Sequence, residues 1–255
     1  MTEVTEAARV PVPALMPILL SFVAGYVDSY TYLALFGLFV AQVTGSFVVA
    51  GAELVRHDHG IASKLLAILA FLGAGALTAA TIGAVHQSGR QALSLMLALE
   101  TVLLGIFGAI MLVGPPIENV GDPYSVVAGL VAAMAMGAQS VTVRLLMRGI
   151  PQTNVMTGNM TQLAIEITEL IRTWRRKSRD PDDHNAEEFT AVRKRLWVVL
   201  SVATGFIVGA AAGAIAYANV GTGGVLLVTA ILAALALGAL VLEQQHANAQ
   251  SSRLV

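Results

Sequence analysis

The fold class this sequence predicts is all-α and integral to a membrane. It expects two structural repeats in inverted orientation, each with three spanning helices plus one broken or re-entrant segment carrying a Thr-Gly motif. Three observations lead there: the composition, the number of long apolar stretches, and a match of the chain to itself. Of the 255 residues, 56% are apolar and only 12% charged. A soluble domain carries about 25% charged residues, so too few polar side chains remain to cover a core with a wettable surface. That shortage excludes an ordinary soluble enzyme and an intrinsically disordered chain. The net charge of −1 excludes the strongly basic balance of a nucleic-acid binder. With no Cys in the sequence, disulfides and thiolate metal sites drop out as well.

Taken in order, residues 1–9 (MTEVTEAAR) hold two Glu and one Arg, and no small-residue cleavage site follows a short apolar core. The first apolar stretch is therefore expected to stay as a span and not to be removed as a signal. A spanning helix needs about 20 mostly apolar residues. Eight stretches come near that length: Leu15–Phe36, Leu38–Val55, Leu65–Val85, Leu93–Val113, Ser125–Met147, Ile150–Ile171, Leu196–Tyr217 and Val225–Leu242. Two of them differ from the rest. Leu38–Val55 has Gln42-Val43-Thr44-Gly45-Ser46 in its interior, and Ile150–Ile171 has Pro151-Gln152-Thr153-Asn154 followed by Thr157-Gly158-Asn159. In lipid every backbone polar group needs an internal partner, so an interrupted, polar helix has to face protein or a water-filled cavity.

Those two segments expose the repeat. A shift of 113 residues lays Thr44-Gly45-Ser46 on Thr157-Gly158-Asn159 and Glu53 on Glu166. Further on, Gly75–Ala79–Gly83 answers Gly205–Gly209–Gly213, small residues four apart that let two helix backbones approach closely. The chain divides into a first repeat, 1–114, and a second, 115–255, which meet at Gly114-Pro115-Pro116 and form one membrane domain. Orientation follows from the basic residues, which favour the cytoplasmic side. Equivalent loops of the two halves carry none against two, two against eight, and one against none. Each contrast has the sign expected of inverted halves. The expectation is six spans plus two re-entrant or broken segments in the cell membrane, with both termini cytoplasmic. Eight full spans with parallel halves is the alternative.

The stretch Arg172–Arg195 reads as one long cytoplasmic loop with eight basic and five acidic residues. It is a topology anchor, with Trp174 at the interface and contact with anionic lipid as a sharper use. His57, Asp58 and His59 share a loop but lack further ligands, so no metal is expected.

Two motif pairs run through the chain. The first half holds Gly25-Tyr26-Val27-Asp28 and Phe39-Val40-Ala41-Gln42-Val43-Thr44-Gly45-Ser46. The second holds Gly137-Ala138-Gln139-Ser140-Val141-Thr142-Val143-Arg144 and Thr153-Asn154-Val155-Met156-Thr157-Gly158-Asn159. Over nearly its whole length the sequence resembles the YoaK-like family of polytopic bacterial membrane proteins, a domain of unknown function. That family reads G-x-V-D, F-V-A-x-x-T-G-N, G-x-Q-N-x-x-x-R and T-x-x-M-T-G-N at these places. Ser46 and Ser140 stand where it usually has Asn. The resemblance implies a polytopic inner-membrane protein and supplies no substrate.

Ionisable groups inside a bilayer cost a few kcal/mol or more each and are a functional hypothesis by default. Asp28 lies well inside the first stretch and Glu100 seven residues into the fourth; Asp28 is expected to be the acid that exchanges a proton. Glu53, Glu166 and Arg144 lie near stretch ends and can snorkel to the interface. A Gly break frees backbone groups: half-helix N-termini then offer partial positive charge, and unwound carbonyls can hold a cation. The candidate substrate- or ion-binding residues are Asp28, Gln42, Thr44, Gly45, Ser46, Glu100, Gln139, Asn154, Thr157, Gly158 and Asn159, expected around one central site. No G-x-x-x-x-G-K-[ST] phosphate loop and no His-Glu-x-x-His pair occurs, so neither ATP-driven pumping nor an enzyme is expected, and no cofactor. The function expected is a secondary transporter or channel-like protein for a small polar solute, with a proton or cation as candidate coupling ion. Its partners are then the lipid bilayer and that solute; a homo-oligomer is compatible. A non-transporting membrane receptor, scaffold or assembly factor is the alternative.

Overall fold

The computed structural model describes residues 12–56, 60–87, 92–119, 121–180 and 182–251. His57, Asp58, His59 and Arg90 lie outside the described residues. Among those described there is no strand. The helices are α1 (Leu15–Ala34), α2 (Val43–Arg56), α3 (Ile61–Gln87), α4 (Leu93–Val113), α5 (Pro123–Leu146), α6 (Met156–Arg179), α7 (Asp183–Val220) and α8 (Val225–Ser251), with a 3-10 turn over Gly221–Gly224.

Among the described residues four helical runs are long and apolar enough to cross a membrane: Ile61–Val85, Leu93–Val113, Pro123–Leu146 and the 67-residue run Asp183–Ala249. The last is α7 and α8 together. α1 has the length but carries Ser21, Asp28 and Thr31, all buried. It lies inside the bundle against α5, α7 and α8, so most of its surface meets protein and does not have to suit lipid.

Close contacts fix the direction of each helix. Gly205, Gly209 and Gly213 of α7 back onto the carbonyls of Ile18, Phe22 and Tyr26, so α7 runs parallel to α1. Gly137 meets the Phe71 carbonyl and Gly75 meets Val141, so α3 runs parallel to α5. Gln139 of α5 bonds the Leu20 carbonyl while Gly129 meets Leu35 and Leu38, which sets α5 antiparallel to α1. Glu243 of α8 reaches the N-terminus of α4 at Leu93 and Ser94, whereas Val225 touches Gly108; that pair is antiparallel. Tyr30 ties together the ends of α1, α4 and α7 through ring contacts with Phe107 and Tyr217.

Several sequence expectations change here. Of the ladder Gly75–Ala79–Gly83, Gly75 lies against Val141 and the Gly137 carbonyl of α5, whereas an added Cβ at Gly83 would meet nothing within 4 Å. Arg172–Arg195 is not a loop: Arg172–Arg179 ends α6 and Asp183–Arg195 begins α7. Asp182 caps α7 by accepting from the Asp183 N–H, and Arg176–Glu188 and Arg195–Glu166 ion pairs bind the two helices side by side. Alternating charge hid an amphipathic pattern that only the hairpin partner makes stable.

Candidate functional site

Two unwound segments carry the site. After α1 the chain reverses through Phe36 (φ 54°) and Gly37 (φ 78°), and after α5 through Gly149 (φ 83°) followed by Pro151. Left-handed backbone is where glycine is at home, and Pro151 lacks the N–H that would continue a helix. Segments 35–42 and 147–155 then run without regular structure until α2 and α6 begin. Their N–H and C=O groups need partners from side chains.

Asp28 supplies most of the first set. One carboxylate oxygen accepts the Val40 and Ala41 N–H groups at 2.8 and 2.6 Å, and the other accepts that of Gln42 at 3.0 Å. These donors precede α2, so they also carry the partial positive charge of a helix N-terminus. The Thr31 hydroxyl lies 2.9 Å from the Val27 carbonyl and 3.0 Å from that of Leu38. Ser46 in α2 donates to the Phe39 carbonyl at 2.6 Å and accepts its N–H at 3.2 Å. Gly45 makes room for the Phe39 ring, which an added Cβ would approach to 2.8 Å.

The second segment is held by neutral groups. Gln139 Nε2 donates to the Leu20 carbonyl at 2.8 Å and to Thr153 Oγ1 at 2.9 Å. The Ser21 hydroxyl lies 3.0 Å from the Thr153 carbonyl and 2.8 Å from that of Val202. Asn159 Nδ2 donates to the Gln152 carbonyl at 2.7 Å. The two segments meet where Asn154 Nδ2 donates to the Ala41 carbonyl at 3.4 Å, between residues 113 apart in the chain. Three amide oxygens in this region, of Gln139, Gln152 and Asn154, are buried without any donor. Because Gln139 turns its NH2 to a carbonyl, its free oxygen is an acceptor in need of a donor.

Of the predicted residues, Asp28, Gln42 (by its backbone), Ser46, Gln139, Asn154 and Asn159 come together on these two segments. Thr44, Thr157 and Gly158 are in the first turns of α2 and α6 and face outward. The Thr-Gly pairs thus start helices; the unwinding precedes them, because Gly37, Gly149 and Pro151 end the preceding geometry first. Glu100, on α4, is buried and bonds to none of these groups. Glu53 and Glu166 do not simply snorkel: Glu53 pairs with the fully buried Lys64 at 2.6 Å and Glu166 with Arg195 at 3.1 Å. Sequence reasoning missed Ser21 and Thr153. Ser21 stands seven residues before Asp28, two turns away on one helix face, and that spacing was the available signal.

A bundle of long apolar helices, with buried polar groups holding two unwound segments inside it, defines a multi-pass membrane protein. The chain belongs to the family described as protein of unknown function (DUF1275), whose model matches residues 16–238. That match runs from α1 into α8 and takes in both unwound segments. No curated protein and no solved structure matches the chain.

Proposed function

We propose that this protein is a secondary transporter or channel-like protein for a small polar solute, bound where the two unwound segments meet. The observation that carries the reading is the contact of Asn154 with Ala41, beside three amide oxygens that lack donors. Irregular backbone at membrane depth is tolerated where it is buried in protein or lines a cavity, and discontinuous helices of this kind hold substrate in transporters. Unpaired acceptors favour a solute rich in N–H or O–H groups, or a cation, over an anion.

Inverted repeats are part of the same proposal. α1 packs on α7 as α5 packs on α3, and α1 and α5 run in opposite directions. The Glu53–Lys64 pair and the bond from Lys64 to the Phe36 carbonyl support a return of α2 to the end where α1 leaves. The α6–α7 ion pairs support a return of α6 to the other end. This favours six spans with two re-entrant helices, and the basic α6–α7 hairpin and both termini in the cytoplasm. The YoaK-like motifs are consistent with the family match. We read the chain as non-enzymatic.

One observation favours the receptor or scaffold reading: the paired ends of α6 and α7 form an exposed, charged surface around Arg176 and Glu188. Flux decides between them. Proteoliposomes with wild type should take up at least one of urea, a polyol or methylammonium faster than protein-free vesicles. Asn154→Leu should slow that uptake by about tenfold, the equivalent of one buried hydrogen bond. No uptake of any solute by well-folded wild type would leave the scaffold reading in its place.

A further inference from the structure

Helix α6 buries a polar stripe and exposes an apolar one. Its buried positions are Asn159, Glu166 and Thr173, seven residues apart, on the face that meets α7 through the Glu166–Arg195 pair. Met160, Ile167, Ile171 and Trp174 follow one another at intervals of seven, four and three, which is one side of a helix. All four are exposed.

Part of that apolar side lies where lipid tails do not account for it. α7 carries no charged residue from Leu196 to Val220, whereas Asp183–Arg195 is dense in charge. The Arg195–Glu166 pair marks the boundary, and the Arg176–Glu188 pair lies beyond it. Ile167, Ile171 and Trp174 therefore run beside the charged half of α7. Trp174 is eight residues past Glu166, about 12 Å along the helix. A contiguous apolar face left open to water marks a binding surface.

Charge names what covers it. Among the described residues the ion pairs of this hairpin are Arg172–Glu169, Arg176–Glu188 and Arg195–Glu166. Arg175, Arg179, Arg193 and Lys194 are exposed and belong to none of them. Arg175 stands one turn beyond Ile171, and Arg193 one turn before the exposed Trp197, so each of these cations borders an open apolar side chain. A second copy of the chain seated here would set the cations against themselves, because a two-fold interface presents the same patch from both sides. An anionic leaflet attracts them instead. Tryptophan and basic residues beside an apolar stripe are also the makeup of a helix seated at the boundary between headgroups and acyl chains.

We propose that the α6–α7 hairpin docks on the bilayer leaflet at its own end of the molecule. Ile167, Ile171 and Trp174 sit at the headgroup boundary, and Arg175 and Arg193 meet the phosphates of anionic phospholipid. This surface is separate from the unwound segments and does not depend on the transport reading. The two tryptophans of the chain both lie on this hairpin, so intrinsic fluorescence reads it directly. The test uses the full chain in mixed vesicles of phosphatidylcholine and phosphatidylglycerol, with bromine on the acyl chains of one lipid or of the other. Trp197→Phe leaves Trp174 as the reporter. Trp174→Phe leaves Trp197, which adjoins the apolar span and serves as the control for insertion.

Trp174 should resist quenching by aqueous iodide and be quenched more by brominated phosphatidylglycerol than by brominated phosphatidylcholine. High salt should shrink that preference, since it screens exposed charges. Adding Arg175→Gln and Arg193→Gln should lower it at least about fivefold, the effect of a cation at a charged surface, and leave the Trp197 control unchanged. If Trp197→Phe fails to fold, the difference between wild type and Trp174→Phe supplies the Trp174 signal; if the double glutamine variant fails to fold, the salt dependence carries the test. The proposal is overturned if iodide quenches Trp174 and neither brominated lipid does, if both lipids quench it equally at low salt, or if a folded double variant keeps the full preference. Shielding of Trp174 that grows with protein density and comes without lipid quenching would also overturn it, and would seat a second copy there.

Discussion

Asp28 and Glu100 are both buried carboxylates, yet their surroundings assign them different work. Asp28 receives three backbone N–H groups and Glu100 receives nothing. Asp28 is therefore first an anchor for the unwound segment, which the expectation of a proton-exchanging acid did not include. Asp28→Ala would strand three buried donors, each costing about 1–3 kcal/mol. Thermal unfolding in detergent should show a large drop for Asp28→Ala and a smaller one for Asp28→Asn, whose amide oxygen can still accept. Equal melting of Asp28→Ala and wild type would mean that those N–H groups find other partners and that the anchor is dispensable.

At the level of elements, each helix that starts at an unwound segment is tied to the next one by an acid–base pair, and the two pairs differ in burial. Lys64 is 0% exposed, whereas Arg195 is 58% exposed. Removing one partner of a buried pair leaves an uncompensated charge, at about 3–5 kcal/mol; a solvent-screened pair contributes about 0–1 kcal/mol. Chemical or thermal unfolding should accordingly find Glu53→Gln much more damaging than Glu166→Gln. Comparable losses from both would show that Lys64 reaches solvent or lipid headgroups when its partner is gone. The α1–α7 contact offers a second comparison. At Gly209 an added Cβ would collide with the Phe22 backbone, while at Gly83 it would meet open space. Gly209→Leu is expected to abolish folded yield by size-exclusion chromatography, and Gly83→Leu to leave it close to wild type. A Gly209→Leu protein that elutes and melts normally would rule out the backbone-on-backbone contact.

For the whole molecule the proposed return of α2 and α6 is what labelling reads directly, in a chain without native Cys. Ala62→Cys at the start of α3 and Ser178→Cys near the end of α6 are both exposed positions. An impermeant maleimide added to intact cells should modify the first and leave the second, and both should react after lysis. Modification of both from the same side would restore eight full spans.

The sequence by itself determined the helical membrane class and the positions of α1, α3, α4 and α5 to within a few residues. Those follow from composition and apolar run length, which are local properties of the chain. Two outcomes needed tertiary structure. Asp28 became an anchor because Gly37 folds segment 35–42 back along α1 to bring Val40, Ala41 and Gln42 within reach. Arg172–Arg195 became helix because α6 and α7 give each other a partner face. A sequence records which groups are polar, whereas whether a buried polar group meets a partner depends on residues tens of positions away, and only the fold brings those together.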